Sequence, residues 1–523
     1  MAKEKANTKS IKRNYLYNMI YQVLILILPL VTTPYLSRVL GAEGIGIYGY
    51  TYAIVTYFIL FGSLGVSLYG QREIAYAQDN PEKRMSTFVE LILFRLITIA
   101  IAIIPYTLFF IYGKNNYQFC YRILLIEIIA AAFDISWFFQ GMEEFKKTVT
   151  RNVFVRVCSV TCVFLFVKTK EDLSKFILIY SLGDLIGNIS LWLYLPKYFR
   201  GIKIKNIGIR KHFIPVMMLF IPQIANQVYK ILDTTMIGRI IPDKAETGYY
   251  EQAQKVIRLL LTIVTSLGVV MIPRMANTFA NNDKKKIQQY LKLSFRFVFF
   301  LSFPIMMGIS AVAHYFVPIF FGSGYDKVVV LIRIICPILL LMGIGNVLGT
   351  QYLIPTKRQK EYTISVIVGI VVNFILNIIL IMRYASIGAS IATVISELVV
   401  IFVQYLFVRE DISIKDILRI AWKYFVAAVI MLFVCSLIRY MNNYTILAIR
   451  LVELAEKTRY SDRLFLNMFN LGVTMFTGGA TYFASLIVLK DEFVFRFLDK
   501  ISNKIMNRKN SQGVENEDLN KEG

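Results

Sequence analysis

Fourteen apolar blocks, each about twenty residues long and parted by short polar segments, leave this 523-residue chain few ways to fold. A helix of about 20 residues crosses the roughly 30 Å of hydrocarbon in a bilayer. Backbone in hydrocarbon must satisfy its own hydrogen bonds, and a helix does so within one segment. The blocks lie near 15–37, 45–69, 88–112, 117–139, 149–167, 174–195, 213–236, 248–272, 290–312, 328–350, 362–382, 386–408, 419–439 and 464–489. Hydrophobic residues make up 56% of the chain and charged residues 18%, with mean hydropathy +0.57. A water-facing surface cannot be built from that mixture. The expected fold class is an all-α polytopic membrane protein with about 14 transmembrane helices.

The net charge of +24 does not imply nucleic acid. The cations sit in alternate connections: Arg72, Lys83 and Arg84; Lys146 and Lys147; Lys197 to Lys211; Lys284 to Lys286; Lys357 to Lys360. The other connections carry few, such as Lys114 and Arg383. Lys and Arg collect on the cytoplasmic side, so both termini are expected there. The basic stretch Arg439 to Arg463 breaks the pattern and reads either as a surface-lying helix or as a misplaced pair of spans. No cleavable leader is read before the first span.

Chemistry-bearing motifs are sparse. The five cysteines all fall in apolar blocks, and His212 and His314 have no metal-ligand neighbours at motif spacing, so neither a metal nor a cofactor is expected. There is no complete G-x-x-x-x-G-K-[ST], no H-E-x-x-H and no G-x-S-x-G. No polar stretch is long enough for a catalytic domain.

The polar residues within the blocks carry more information. Leu219 to Gly238 contains Gln223, Asn226, Gln227, Lys230 and Asp233, which form one stripe at helical spacing, headed by Pro222. The first block has Asn18 and Gln22, then Pro29, Pro34 and Arg38. The two blocks are partners in an internal repeat. Leu64-Gly65-Val66 recurs as Leu267-Gly268-Val269, Arg72 as Arg274, and Gly46-Ile47-Tyr48 as Gly248-Tyr249-Tyr250, all at nearly one offset. An even number of spans separates the copies, so the repeat is parallel, with a site expected between two lobes. The expected divisions are a basic tail (1–14), an N-lobe (15–212), a C-lobe (213–408), two appended helices (409–489) and a C-terminal tail (490–523).

Ionisable residues inside spans must pair, snorkel or face water. Arg95, Asp134, Arg156 and Arg296 lie near span ends, where ion pairs or snorkelling explain them. Glu127, Asp184, Lys230 and Glu397 lie deeper. Lys255 and Arg258 follow Glu251 along one face of the eighth block. Cations dominate, which suits an anionic cargo; Asp233 could neutralise Lys230.

Four stretches carry a family resemblance: Pro34-Tyr35-Leu36-Ser37-Arg38-Val39-Leu40-Gly41 with Gly46-Ile47-Tyr48; Phe133 to Gly141 with Glu143 and Lys146; Pro222-Gln223, Asp233, Ile237-Gly238, Gly248 to Tyr250, Lys255 and Pro273-Arg274; and Ile354-Pro355-Thr356 with Gly388-Ala389 to Glu397. With these the chain resembles the polysaccharide transport family, the Wzx-type lipid-linked oligosaccharide flippases, whose superfamily includes MATE exporters and the lipid II flippase MurJ. The resemblance implies alternating access of a central cationic cavity that carries an undecaprenyl-pyrophosphate-linked glycan across the bacterial cytoplasmic membrane, for capsule or exopolysaccharide synthesis. It implies no enzymatic activity. A polymerase and other assembly proteins are the partners it suggests. Arg38, Gln223, Asn226, Lys230, Asp233, Lys255 and Arg258 are the expected cavity residues. Glu127, Asp184, Asp233 and Glu397 are the nominees for ion coupling. The competing readings are a cation-coupled small-molecule exporter, which would want an acidic cavity, and a membrane polymerase, which would want a large outer loop.

Overall fold

The computed structural model describes the backbone of residues 2–199, 207–453 and 460–495; the side chains of 2–26, 221–223, 225–226, 442–453 and 460–463 lie outside what it describes. Its helices in order are α1 (Ala2–Ser63), α2 (Val66–Tyr76), α3 (Pro81–Tyr106), α4 (Gln118–Ala132), α5 (Ser136–Gly141), α6 (Phe145–Phe166), α7 (Leu173–Trp192), α8 (Pro196–Phe199), α9 (Phe213–Ile240), α10 (Lys244–Thr265), α11 (Gly268–Ala280), α12 (Lys284–Phe321), α13 (Asp326–Ile335), α14 (Ile338–Gly345), α15 (Gln359–Val408), α16 (Ile414–Glu453) and α17 (Tyr460–Val488). No strand occurs among the described residues.

Among the described residues, ten helices are long and apolar enough to cross a membrane, or eleven when the pair α10 and α11, bent by 40°, counts as one. Two of the ten stretches, Ile27–Tyr76 and Gln359–Val408, run 50 residues each. At 1.5 Å per residue, each is over twice the roughly 30 Å of a hydrocarbon core. Each is kinked within its long helix at a non-helical residue: Gly41, with φ 69°, in α1, and Ala385, with φ 50°, in α15. Glycine takes that conformation without penalty, whereas alanine needs help. The help comes from Glu246, which accepts from the Ser386 amide at 3.2 Å and from the Ser386 hydroxyl at 2.6 Å, occupying donors that open the next helical segment.

The helices are built inside out. On α3, Ile97, Ile101 and Ile104 are exposed, whereas Glu90 and Arg95 are buried. On α15, Phe374, Ile375, Ile378 and Ile379 are exposed, while Asn373 and Asn377 are fully buried. Apolar-out, polar-in patterning is what lipid as solvent selects.

Two compact units emerge. The first comprises Met1–Lys255, Phe320–Leu331 and Val366–Ser396; the second comprises Val256–Ile319, Ile332–Ser365 and Glu397–Gly523. The first unit contains the connections after Gly41, Ile240, Phe321 and Arg383. Its cores gather Tyr106, Tyr121 and Ile128 in one cluster and Phe88, Trp137 and Phe138 in another. The second unit packs Phe295, Phe299, Tyr424 and Tyr482 into one core, where the Tyr482 hydroxyl donates to Phe300 O at 3.0 Å.

The internal repeat has a structural counterpart. Leu64-Gly65 separates α1 from α2, and Leu267-Gly268 falls at the break between α10 and α11. Gly46 and Gly248, equivalent by the repeat, face one another where α1 crosses α10: a Cβ on Gly46 would sit 1.7 Å from Lys244 O. Small residues permit that closeness. The basic stretch from Arg439 is helical as far as Glu453, as a continuation of α16. The basic stretch 1–14 is helical from Ala2, as the start of α1. The C-terminal tail from 496 onward lies outside the described residues.

The segment that leads into α9 is fastened to α3. Glu90 has a fully buried side chain that accepts from the Gly208 amide at 2.9 Å and from Lys211 Nζ at 2.9 Å, and meets His212 Nε2 at 2.9 Å. His212 Nδ1 is 3.0 Å from the Tyr69 hydroxyl. Nε2–H donating to the carboxylate leaves Nδ1 to accept from tyrosine.

Candidate functional site

Helix α9 positions the stripe read from the sequence. Asp233 is 5% exposed, whereas Lys230, one turn away, is exposed. The side chains of Gln223 and Asn226 lie outside the described residues.

Asp233 is the centre of a buried polar network in the first unit. Its Oδ1 accepts from Asn377 Nδ2 at 2.6 Å, and its Oδ2 accepts from Thr393 Oγ1 at 2.7 Å and from the Tyr250 hydroxyl. Gln254 Nε2 donates to the Tyr250 oxygen at 2.7 Å. Asn377 donates its other amide hydrogen to Asn373 Oδ1 at 3.0 Å, and Asn373 reaches Ser396 Oγ at 3.4 Å. Buried carboxylates require such donors because desolvation is costly. All three donors that meet Asp233 here are neutral.

A second ionisable cluster joins α4, α6 and α7. Arg156 Nη2 lies 3.8 Å from Asp184 Oδ1, and its guanidinium stands 5.8 Å from the Tyr180 ring centroid. Glu127, 6% exposed, interacts electrostatically with both Asp184 and Arg156. Arg95 and Asp134 approach to 3.7 Å, the helix-tying role expected of them. Glu397, in the second unit, is 5% exposed.

The other expected cavity cations divide by exposure. Arg38 and Arg258 are exposed and Lys255 is half-buried. Arg38 packs against Gly322, whose φ of 92° places backbone where a Cβ would meet Arg38 Cγ at 3.0 Å. Around it the chain is locked by polar contacts: Gln252 Nε2 donates to Ser37 Oγ at 2.8 Å, the Tyr325 hydroxyl donates to Ser37 O at 3.0 Å, and Lys327 pairs with Glu246.

Sequence reasoning missed Tyr250, Asn373, Asn377 and Thr393 as a group. A signal was present: Asn373 and Asn377 stand one turn apart in an otherwise apolar run.

Residues 11–279 match the family described as polysaccharide biosynthesis protein, and residues 219–379 match the MatE family. The chain is 26% identical over 409 residues to the "Putative O-antigen transporter" of Escherichia coli strain K12, an alignment that covers 77% of this chain and 98% of that one. It is 23% identical over 414 residues to the capsular polysaccharide biosynthesis protein CapF of Staphylococcus aureus, covering 76% and 99%. Its fold is similar to that of the lipid II flippase MurJ in an inward closed conformation, with TM-score 0.65 at 19% identity, covering 90% of this chain and 100% of that one.

Proposed function

Because the chain belongs to the polysaccharide biosynthesis protein family, we propose that it is a flippase for lipid-linked oligosaccharides. The cargo is a repeat unit on undecaprenyl pyrophosphate, moved across the bacterial cytoplasmic membrane for capsule or exopolysaccharide synthesis. The similarity to an O-antigen transporter and to a capsular polysaccharide protein supports the glycan class.

The observation that carries the reading is on α9. Lys230 is exposed on a membrane-length helix whose buried side is occupied by Asp233. An ammonium at that depth is costly in lipid and tolerable in water. Lys230, Arg38, Lys255 and Arg258, with the polar stripe of Gln223 and Asn226, then line a hydrated cavity whose cations receive pyrophosphate. Two lobes, 15–212 and 213–408, rock about that cavity, with fourteen crossings and both ends in the cytoplasm. Ion uptake at Asp233 drives the cycle, with Glu127, Asp184 and Glu397 as further carboxylates on the path. The protein acts as a transporter rather than a catalyst.

Replacing Lys230, Lys255 and Arg258 by Ala, singly and together, tests this in cells. Lipid-linked repeat units should then accumulate where outside reagents cannot reach them, while the protein stays in the membrane. Undiminished export by the triple variant would falsify the cationic cavity. A small-molecule exporter would instead retain drug efflux and show no glycan phenotype.

A further inference from the structure

A second polar recess lies in the first unit, apart from the Asp233 network. It has a volume of about 650 Å³ and is walled by Tyr50, Tyr117 and Tyr121 and rimmed by Lys114, Arg239 and Lys244. No acidic residue lines it.

The recess is built rather than accidental. Its loop wall, between Ile111 and α4, is fixed by its own side chains: Asn115 Nδ2 donates to Phe110 O at 3.1 Å, the Tyr117 amide donates to Asn115 Oδ1 at 2.8 Å, and Gln118 Nε2 donates to Gly113 O at 2.6 Å. The opposite wall is the end of α9. There Gly238 lets the Tyr50 ring lie directly on the backbone, at a place where a Cβ would be 2.1 Å from the ring.

Lys244 gives the recess its character. It is 8% exposed, and its ammonium donates to Gly238 O at 2.6 Å and to Ile241 O at 2.9 Å. It also stands 5.2 Å from the Tyr50 ring and 5.9 Å from the Tyr117 ring. Two carboxylates act nearby without lining the space. Asp243 interacts with Lys244 electrostatically, but its Oδ1 accepts from the Ala245 amide at 2.9 Å; Glu43 acts on Tyr117. A buried ammonium whose partners are carbonyls and ring faces favours an anion beside it. Arg239 and Lys114 are exposed at the rim, where a planar guanidinium and an ammonium can close on one phosphate. Tyrosine faces offer apolar area and a hydroxyl together, the surface that a sugar ring with alternating C–H and O–H groups requires. The volume falls within the range of small-ligand sites.

We propose that this recess binds the phosphorylated sugar headgroup of a lipid on the side of the membrane where the cargo emerges. The connections that form it, 112–117 and 241–243, alternate with the strongly basic ones and so fall in the set that the sequence reading places outside. The origin of the headgroup rests on the translocation reading above; the affinity for a phosphosugar does not.

The test uses the full chain in phosphatidylcholine nanodiscs, with glucose 1-phosphate and inorganic phosphate as calorimetric probes. Glucose 1-phosphate should bind at least about tenfold tighter than phosphate, and the exposed pair Lys114→Gln with Arg239→Gln should weaken it at least about tenfold. Tyr117→Leu should remove the preference for the sugar and leave phosphate binding intact. Size-exclusion elution and thermal unfolding check that each variant is folded. Unchanged binding in the K114Q/R239Q variant overturns the site, and equal binding of both probes overturns the sugar. If nanodiscs rich in phosphatidylglycerol abolish binding that survives in phosphatidylcholine, and translocated glycolipid does not, the recess is a phospholipid site and the proposal fails. Translocation measured in parallel separates the two claims. Flipping without glucose 1-phosphate binding removes the recess alone, and binding without flipping removes the proposed function alone.

Discussion

Gly46 and Gly248 touch through their backbones: a Cβ on Gly248 would lie 1.9 Å from Ala42 O and 3.1 Å from the Gly46 nitrogen. Neither contact can yield by moving a flexible side chain, because both partners are main chain. Gly46→Ala or Gly248→Ala should therefore separate α1 from α10 at this end. In a cysteine-free background carrying Ser37→Cys, a membrane-impermeant maleimide should label each variant several-fold faster than the parent. Equal labelling would mean that the crossing opens without these glycines.

Asp233→Asn should abolish translocation, and Asp233→Glu should restore little of it. The asparagine keeps the shape but turns an amide donor toward groups that already donate. One mismatched buried pair costs about 1–3 kcal/mol, so the protein should remain folded but melt earlier. A proteoliposome flipping assay beside a thermal scan distinguishes lost function from lost fold. Full activity in D233N would remove this carboxylate from any coupling role.

Asn377→Leu probes the same network from α15. It removes the donor to Asp233 Oδ1 and the link to Asn373. Stability should fall by about 1–3 kcal/mol, and the loss should be less than additive with D233N because the two groups share a bond. Simple additivity in a double-mutant cycle would contradict the contact.

Glu90→Gln should loosen the entry to α9. The neutral side chain can no longer accept from Gly208, Lys211 and His212 with a full charge. Removing one partner of a buried ionic group costs about 3–5 kcal/mol when nothing replaces it; here Lys211 is largely solvated, so about 1–2 kcal/mol is expected. Limited proteolysis between Lys203 and Lys211 should accelerate in proportion. An unchanged cleavage rate would show that the fastening lies elsewhere.

The membrane class was legible in the sequence because block length is a local property. Leu64-Gly65 and Leu267-Gly268, repeat landmarks inside the blocks 45–69 and 248–272, lie at helix breaks that block length alone does not mark. The charge partners were less legible. Asp233 and Lys230 are spaced as a pair, but Asp233 is buried and Lys230 exposed, and donors to Asp233 come from residues up to 160 positions away. No periodicity within α9 encodes Thr393 or Asn377. Arg156 took the ion-pair alternative, but its partner, Asp184, is on another helix and is not encoded by local spacing. His212 lacks any motif neighbour, yet it has a carboxylate on one ring nitrogen and a phenol on the other, supplied by α3 and α2.

That tether on Glu90 sets where α9 can pivot. With the segment that leads into it moored to α3 through Gly208, Lys211 and His212, the rod cannot swing as a whole. Any rearrangement that displaces Lys230 must flex farther along, near Pro222, where the backbone ladder already lacks a rung. The upper part of the helix would then travel while its root stays put, like a reed bending above a fixed base.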